Sequence, residues 1–168
     1  TVLALAGLAS PENMDGKSLL PLLDNPASGL RASLLLMNVW GDAPTHALTV
    51  VTEDYKYIHW PYAQGMEPRE ELYHLARDRY EMKNVSETSE HRDALGRLRK
   101  FHDEALATWK ADCVDTGGYG QYTAIFDRSL SWKAKLAAME TRTRRIFTEW
   151  KATSQPDKKA QSNKKTNP

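Results

Sequence analysis

The stretch HALTVVTEDYKYIHW, residues 46–60, contains two apolar segments of strand length joined by a polar Glu-Asp pair. Alternation of apolar and polar residues is typical of a strand with one face in the core. In the second segment, Tyr55, Tyr57 and His59 fall on one face, and the residues between them fall on the other. The short connection predicts a tight hairpin, and therefore an antiparallel sheet.

Sequence on both sides of the hairpin extends this interpretation. Residues 33–40, SLLLMNVW, form a continuous apolar run that predicts a third strand. On the other side, residues 70–84, EELYHLARDRYEMKN, are too charged for a core strand and too irregular for a helix face. We interpret them as a structural crossing in which Leu72, Tyr73 and Leu75 pack inward.

The period of the apolar residues changes between Ser89 and Cys113. Apolar positions there recur at steps of three and four, which is typical of one face of an amphipathic helix. These positions are Leu95, Leu98, His102, Leu106 and Trp109. Ser86, Thr88 and Ser89 are candidate caps for its first turn. The predicted fold is α+β, a small antiparallel sheet of three or four strands packed by one long helix.

The C-terminal third is predicted to be an extension of that unit. We divide the chain into a sheet-and-helix subdomain (1–112), a Gly-rich turn with a helical extension (113–150) and a tail (151–168). The second helix is predicted over 132–150, with Lys135 among the basic residues that lie away from its apolar face. The tail has a net charge of +4 and no large apolar residue, so we expect it to be disordered.

Composition excludes several classes of protein. The 168 residues carry a net charge of only +1, which argues against attraction of the whole surface to nucleic acid. One cysteine, Cys113, excludes an internal disulfide framework and a cysteine-based zinc cluster. No apolar run approaches the length of a membrane span. Because the apolar start has neither an initiating Met nor a basic segment, we expect a larger protein of which this is the C-terminal portion.

The residues do not assemble a recognisable catalytic or metal-binding constellation. The histidines show no HxH or HxxxH spacing, so no metal site is predicted. His102 lies on the apolar stripe of the long helix and is interpreted as a core residue. His46 and His59 lie on neighbouring strands, where they either contact a ligand or simply pack in the sheet. The basic second helix and tail either bind an acidic partner or form a solvated face.

Residues 71–84 follow the pattern E-L-Y-x-L-x-x-D-x-x-E-x-x-N. This pattern resembles ELYDLxxDPxExxN, found near the C-terminus of type I sulfatases, with His74 and Arg79 in place of the usual Asp and Pro. The first 23 residues are similar to that family's TLLDLAGxxxPxxxxGxSLxPLL, and TEDYKYI is similar to its RYKYI strand. The resemblance covers residues 1–112, including an LxxWK sequence that ends at Lys110.

The resemblance implies that the chemistry lies outside this chain. Type I sulfatases use a formylglycine made from the Cys or Ser of a C/S-x-P-x-R motif, and a divalent cation, commonly calcium, in their N-terminal domain. Cys113 is followed by neither that Pro nor that Arg, so it is not expected to be the nucleophile. The chain then serves sulfate ester hydrolysis as a sulfatase C-terminal subdomain, inactive alone, with the catalytic domain as its partner.

The same resemblance suggests which residues of this chain contact the substrate. The small subdomain of such enzymes can contribute to the rim of the substrate pocket, and the candidates are Thr45, His46, His59 and Trp60, facing a sulfated glycan. Family resemblance also implies a periplasmic, secreted or lysosome-like location. The alternative is a stand-alone binding module that recognises an acidic partner through its basic helix and tail.

Overall fold

The computed structural model describes most of the chain up to Arg144. The described residues are 1–11, 14, 16–41, 45–61, 68–113, 118–139, 141 and 143–144. They divide into two compact units, one of residues 1–34 and one beginning at Leu35. The first unit contains two short helices, α1 (Val2–Leu5) and α2 (Leu20–Asp24), and none of its described residues is buried. The sheet and its core belong to the second unit.

Four strands form one sheet in the order β1-β2-β3-β4, as the α+β prediction requires. Their bounds are Leu34–Asn38 (β1), Ala47–Val51 (β2), Tyr55–Trp60 (β3) and Arg69–His74 (β4). The predicted hairpin is confirmed, since β2 and β3 pair antiparallel with Leu48 opposite His59 and Val50 opposite Tyr57. Strand β4 continues the antiparallel sheet on the far side of β3.

The interpretation of residues 70–84 as a crossing is wrong for its first part. Residues 69–74 are strand β4, in which Leu72 pairs with Tyr57. Successive side chains of a strand point to opposite faces, so Tyr73 lies on the face away from Leu72. Of the three residues expected to pack inward, only Leu72 is fully buried, while Tyr73 and Leu75 are partly exposed.

The second half of the stretch closes the outer edge of β4. Asn84 Oδ1 accepts hydrogen bonds from the backbone N–H groups of Leu72 and Ser86, each at 3.0 Å. The N–H of Val85 donates to the Leu72 carbonyl at 2.8 Å. Asp78 Oδ2 accepts a backbone hydrogen bond at 2.8 Å inside the intervening turn. The Asp and Asn of the sequence pattern thus satisfy backbone groups that an edge strand leaves unpaired.

The long helix is confirmed. A 3-10 turn at Ser89–His91 leads into helix α3, Arg92–Asp112. The predicted side-chain caps are wrong, because the chain enters α3 through that turn and neither element, both fully described, has a side-chain cap hydrogen bond. The buried residues of α3 are Leu95, Leu98, His102 and Leu106, the stripe that the periodicity predicts.

The C-terminal extension differs from its prediction. After Gly118, whose φ of 76° lies in the left-handed region that favours glycine, a 3-10 turn and the short helix α4 (Tyr122–Ile125) follow. Helix α5 spans Trp132–Ala138 and Met139 is extended, so the predicted helix is interrupted at Met139, whereas residues 141, 143 and 144 are helical again. The rest of the predicted second helix, residues 145–150, and the tail lie outside the described residues.

Lys135 was expected on the solvent face of that helix, and this is wrong, since only 3% of the residue is exposed. It lies three residues after Trp132 and four before Met139, which places all three on one stripe of a helix. Trp132 and Met139 pack in the core, so the stripe that contains them carries Lys135 inward too. Burial lowers the pKa of its ammonium to about 8.

Two apolar clusters fill the core, both on the face of the sheet that α3 covers. One contains Val50, Tyr57, Leu72, Val85, Leu95 and Leu98. The other contains Leu48, Leu106, Ile125, Phe126 and Met139. Since Ile125 and Phe126 are fully buried, the segment after α3 completes this core. The division after residue 112 stays a prediction, but the core itself is continuous across it.

Candidate functional site

The four predicted site residues lie at one end of the sheet, where β2 begins and β3 ends. His46 precedes β2 and has the same parity as Leu48, so it lies on the core face with His59. Trp60 is the next residue of β3 and lies on the opposite face. The structure therefore brings His46 and His59 to one face, leaves Thr45 exposed and separates Trp60 from them.

Thr45 anchors the connection between β1 and β2. Its hydroxyl donates to the Trp40 carbonyl at 3.0 Å, and Asn38 Nδ2 donates to the Thr45 carbonyl at 2.7 Å. Gly41 has a φ of 80°, and a Cβ there would lie 3.2 Å from Thr45 Oγ1. Trp40, whose carbonyl accepts one of these bonds, is 76% exposed.

Sequence reasoning missed Trp40 as a candidate site residue. In the sequence it is the last residue of an apolar run predicted to be a strand, but that strand ends at Asn38.

Trp60 pairs with Arg69, the first residue of β4. The Arg69 guanidinium carbon lies 5.0 Å from the centroid of the indole ring, within the range of a cation–π contact. Its Nε also lies 3.6 Å from Glu71 Oε1, and 56% of the Arg69 side chain is exposed. Only the strand register identifies this pair, so sequence reasoning could not find Arg69.

His46 is buried rather than presented to solvent. Its ring meets Tyr122 edge-on, with centroids 5.7 Å apart. Burial lowers the pKa of His46, and a hydrogen bond with the Gly41 backbone opposes that shift. The imidazole is thus held neutral between the sheet and α4.

A group of five polar residues, which we call the Glu70 cluster, lies between the sheet, α3 and the segment after α4. Its members are Tyr57, Glu70, Arg99, Asp103 and Arg128. Arg99 Nε lies 3.1 Å from each Glu70 carboxylate oxygen, Arg128 Nη1 lies 2.6 Å from Glu70 Oε1, and the Tyr57 hydroxyl donates to the same oxygen. Burial alone favours the neutral acid, but the bonds from Arg99 and Tyr57 outweigh it and lower the pKa of Glu70 to about 2.

His59 lies beside this cluster. Its ring is perpendicular to that of His102, with centroids 5.4 Å apart, and His102 Nδ1 lies 3.0 Å from Asp103 Oδ1. Burial lowers the pKa of His59 to about 3, and the nearby His102, Lys135 and Arg128 add to that shift. His102 is fully buried, which confirms it as a core residue. The Glu70 cluster and these two histidines hold the sheet, α3 and the segment after α4 together, and this group of residues includes no exposed nucleophile.

Within the described ranges, no three His, Cys, Asp or Glu side chains come together in a way that could hold a metal ion. Cys113 follows the C-terminus of α3 and is partly buried, an environment without the helix N-terminus that activates a thiol. None of the described helices has the length and apolar character needed to cross a bilayer.

Residues 1–107 match the family described as N-sulphoglucosamine sulphohydrolase, C-terminal. The chain belongs to this family. The match includes β1 to β4 and most of α3, so the resemblance of residues 71–84 to a sulfatase C-terminal region is confirmed. A comparison with curated proteins gives no match.

Solved structures support the fold of this sulphohydrolase C-terminal region. A protein in complex with its substrate D-glucosamine-2-N,6-O-disulfate aligns over 68% of this chain and 24% of its own, with a TM-score of 0.54 and 24% identity. A protein from Bacteroides thetaiotaomicron VPI-5482 designated a sulfatase aligns over 80% of this chain and 27% of its own, with a TM-score of 0.53 and 22% identity. The chain thus spans about a quarter of the length of each.

Proposed function

We propose that this chain is the C-terminal subdomain of a sulfatase that hydrolyses sulfate groups of a sulfated carbohydrate. The observation that carries the proposal is the family match over residues 1–107. The substrate of one structural neighbour, a disulfated glucosamine, supports the carbohydrate class. The burial of Lys135 weighs against the alternative of a binding module with a basic second helix, because that face loses a cation.

The catalytic groups are assigned to the rest of the enzyme. Formylglycine would supply the nucleophile and calcium would neutralise the sulfate oxygens, but the described residues do not fit such a cation, since they include no suitable cluster of ligands. Cys113 lacks the Pro and Arg of the modification motif. We therefore place both groups in a catalytic domain that precedes this chain in an exported enzyme, and expect the chain alone to be inactive.

The end of the sheet that carries Thr45 is proposed as part of the substrate rim. Trp40, Trp60 and Arg69 form a row along this end. Trp40 lies beside the start of β2 and Arg69 lies on β4, so the row crosses the sheet from β1 to β4. Neighbouring strands are about 4.8 Å apart, which gives the row a length of about 14 Å. Indole rings stack on sugars, and a guanidinium binds sulfate oxygens through paired hydrogen bonds. Trp40, Trp60 and Arg69 offer both kinds of contact.

His46 and His59 have a different part in this proposal. Both are buried on the core face, so they support the rim from beneath instead of touching the sugar. Their contacts with Tyr122 and His102 hold the start of β2 and the end of β3 against the helices. Direct substrate contact by either histidine remains a prediction that the buried geometry does not favour.

The encoding DNA tests the proposal at little cost. The reading frame upstream of Thr1 is expected to encode a C/S-x-P-x-R motif and the Asp- and Asn-rich ligands of a divalent cation. A reading frame that encodes the chain without such a motif contradicts the proposal and favours the binding module.

A further inference from the structure

Residues 118–139, which we call the clamp, cover the core face of the sheet. They begin eleven residues after the family match ends at residue 107, yet Ile125 and Phe126 are fully buried against Leu48 and Leu106. Tyr122 lies edge-on to His46. The clamp therefore covers both histidines of the predicted rim.

Polar contacts hold the clamp through one guanidinium. Arg128 Nη1 lies 2.6 Å from Glu70 Oε1 on β4, and its Nε lies 3.0 Å from Asp103 Oδ1 on α3. The second contact with Asp103, from Nη2, measures 3.2 Å. One side chain of the clamp thus binds a carboxylate on the sheet and a carboxylate on the helix.

His59 is paired with Glu70 across β3 and β4 and is 3% exposed. Neither ring nitrogen has a hydrogen-bond partner among the residues that the structure describes. The charged or titratable groups that act on it are Glu70 on β4, His102 on α3, and Arg128 and Lys135 on the clamp. His59 thus lies opposite Glu70 in the strand register and against the His102 ring, and the two cations that lower its pKa, Arg128 and Lys135, both belong to the clamp.

We propose that protonation of His59 releases the clamp from the sheet, so that residues 118–139 form an acid-sensitive cover over His46 and His59. An imidazolium at this site is desolvated and repels Lys135 and Arg128, and the clamp can relieve both penalties by opening. The inference uses contacts within this chain alone and does not depend on the proposed sulfatase activity.

The direction of the pH dependence follows from linkage. The pKa of His59 falls from 6.5 to about 3 in the closed state, so closure has its full stability above pH 6.5 and loses it as the pH falls toward 3. Lys135, with a pKa of about 8, is already charged in that window. The contribution of ionised Glu70 to the stability of the closed clamp is lost only below pH 4.5, because the pKa of Glu70 is lowered from 4.5 to about 2. Burial also lowers the pKa of His46 and of His102, but the shift of His59, to about 3, is the large one, so between pH 6.5 and 4.5 His59 makes the largest contribution.

Hydrogen exchange of the full-length protein between pH 7 and pH 5, corrected for intrinsic rates, tests the clamp. The N–H groups of Phe126 and Lys135, bonded to Tyr122 and Ser131 at 2.9 and 3.0 Å, report its opening. Linkage through His59 alone predicts that the opening constant rises roughly 25-fold on acidification. The amide of Leu98 in α3 should change by less than about threefold over the same range.

Variants separate this device from general acid lability. His59→Gln should abolish most of the rise, whereas His74→Gln, which alters a histidine that contacts Tyr55 and His91 instead, should preserve it. Lys135→Met removes the repulsion between protonated His59 and the clamp, and should reduce the rise of the opening constant severalfold. This variant tests the proposal even if His59→Gln does not fold. A clamp that opens equally at both pH values, or a rise that survives Lys135→Met unchanged, overturns the proposal.

Discussion

At the scale of single residues, this molecule places a charged carboxylate in a partly buried position and compensates it with hydrogen bonds and opposite charges. Glu70 lies on a strand beside Leu72, and three side chains from distant parts of the chain hydrogen-bond to its carboxylate. The Glu70 and Arg128 side chains are 20% and 23% exposed, so removal of one of them leaves the other partly buried without its counter-charge. More than half of the Arg69 side chain is exposed, so we expect its replacement to affect binding more than stability.

Glu70→Gln should lower the free energy of unfolding by about 1–2 kcal/mol, because Arg99 and Arg128 would then share a neutral acceptor that also directs an amide toward them, while the partial exposure of Arg99 screens part of the loss. Chemical denaturation measures the loss. The matched control is Glu87→Gln, at an exposed position after β4, which should leave stability unchanged. Equal stability of the two variants would show that the Glu70 cluster contributes little.

Arg69→Gln in the full-length enzyme should raise KM for a sulfated oligosaccharide about tenfold, because one hydrogen bond to a charged group is worth about 1.5 kcal/mol, which is about a factor of ten in affinity. The melting temperature should not change, since more than half of the side chain is exposed. Arg97→Gln, an exposed position on α3, is the matched control. The rim assignment fails if both variants keep the parent KM.

At the scale of elements, the sulfatase pattern in residues 71–84 closes a strand edge. An edge strand presents unpaired N–H and C=O groups that invite association with other chains. Asn84 and Val85 occupy those groups on Leu72, and the turn at Asp78 brings them back alongside β4. The pattern therefore identifies the family through a structural device that carries none of its chemistry.

Asn84→Ala should cost about 1–3 kcal/mol, because the Leu72 amide and the Ser86 amide both lose their acceptor. Hydrogen exchange at Leu72 should accelerate by the corresponding factor. Asn84→Asp keeps an acceptor oxygen at the same place and should retain most of the stability. If Asn84→Asp and Asn84→Ala lose equally, the side chain does not act through these two bonds.

At the scale of the whole molecule, features set by local periodicity were predictable and features set by distant contacts were not. The hairpin and α3 follow from periods of two and 3.6 within short windows. Strand β4 escaped prediction because Arg99 and Arg128, which compensate Glu70, lie 29 and 58 residues further along the chain. The place of Trp40 beyond the end of β1, and the pairing of Arg69 with Trp60, depend on the strand ends and the strand register, which local periodicity does not determine.

The central claim is that this chain serves a sulfatase without containing its chemistry. Release of inorganic sulfate from glucosamine N-sulfate and glucosamine 6-O-sulfate, measured by ion chromatography, tests it most directly. The account predicts release by the full-length product of the gene and none by the 168-residue chain alone. Release by the chain alone, or no release by the full-length product from any sulfated saccharide, would contradict it.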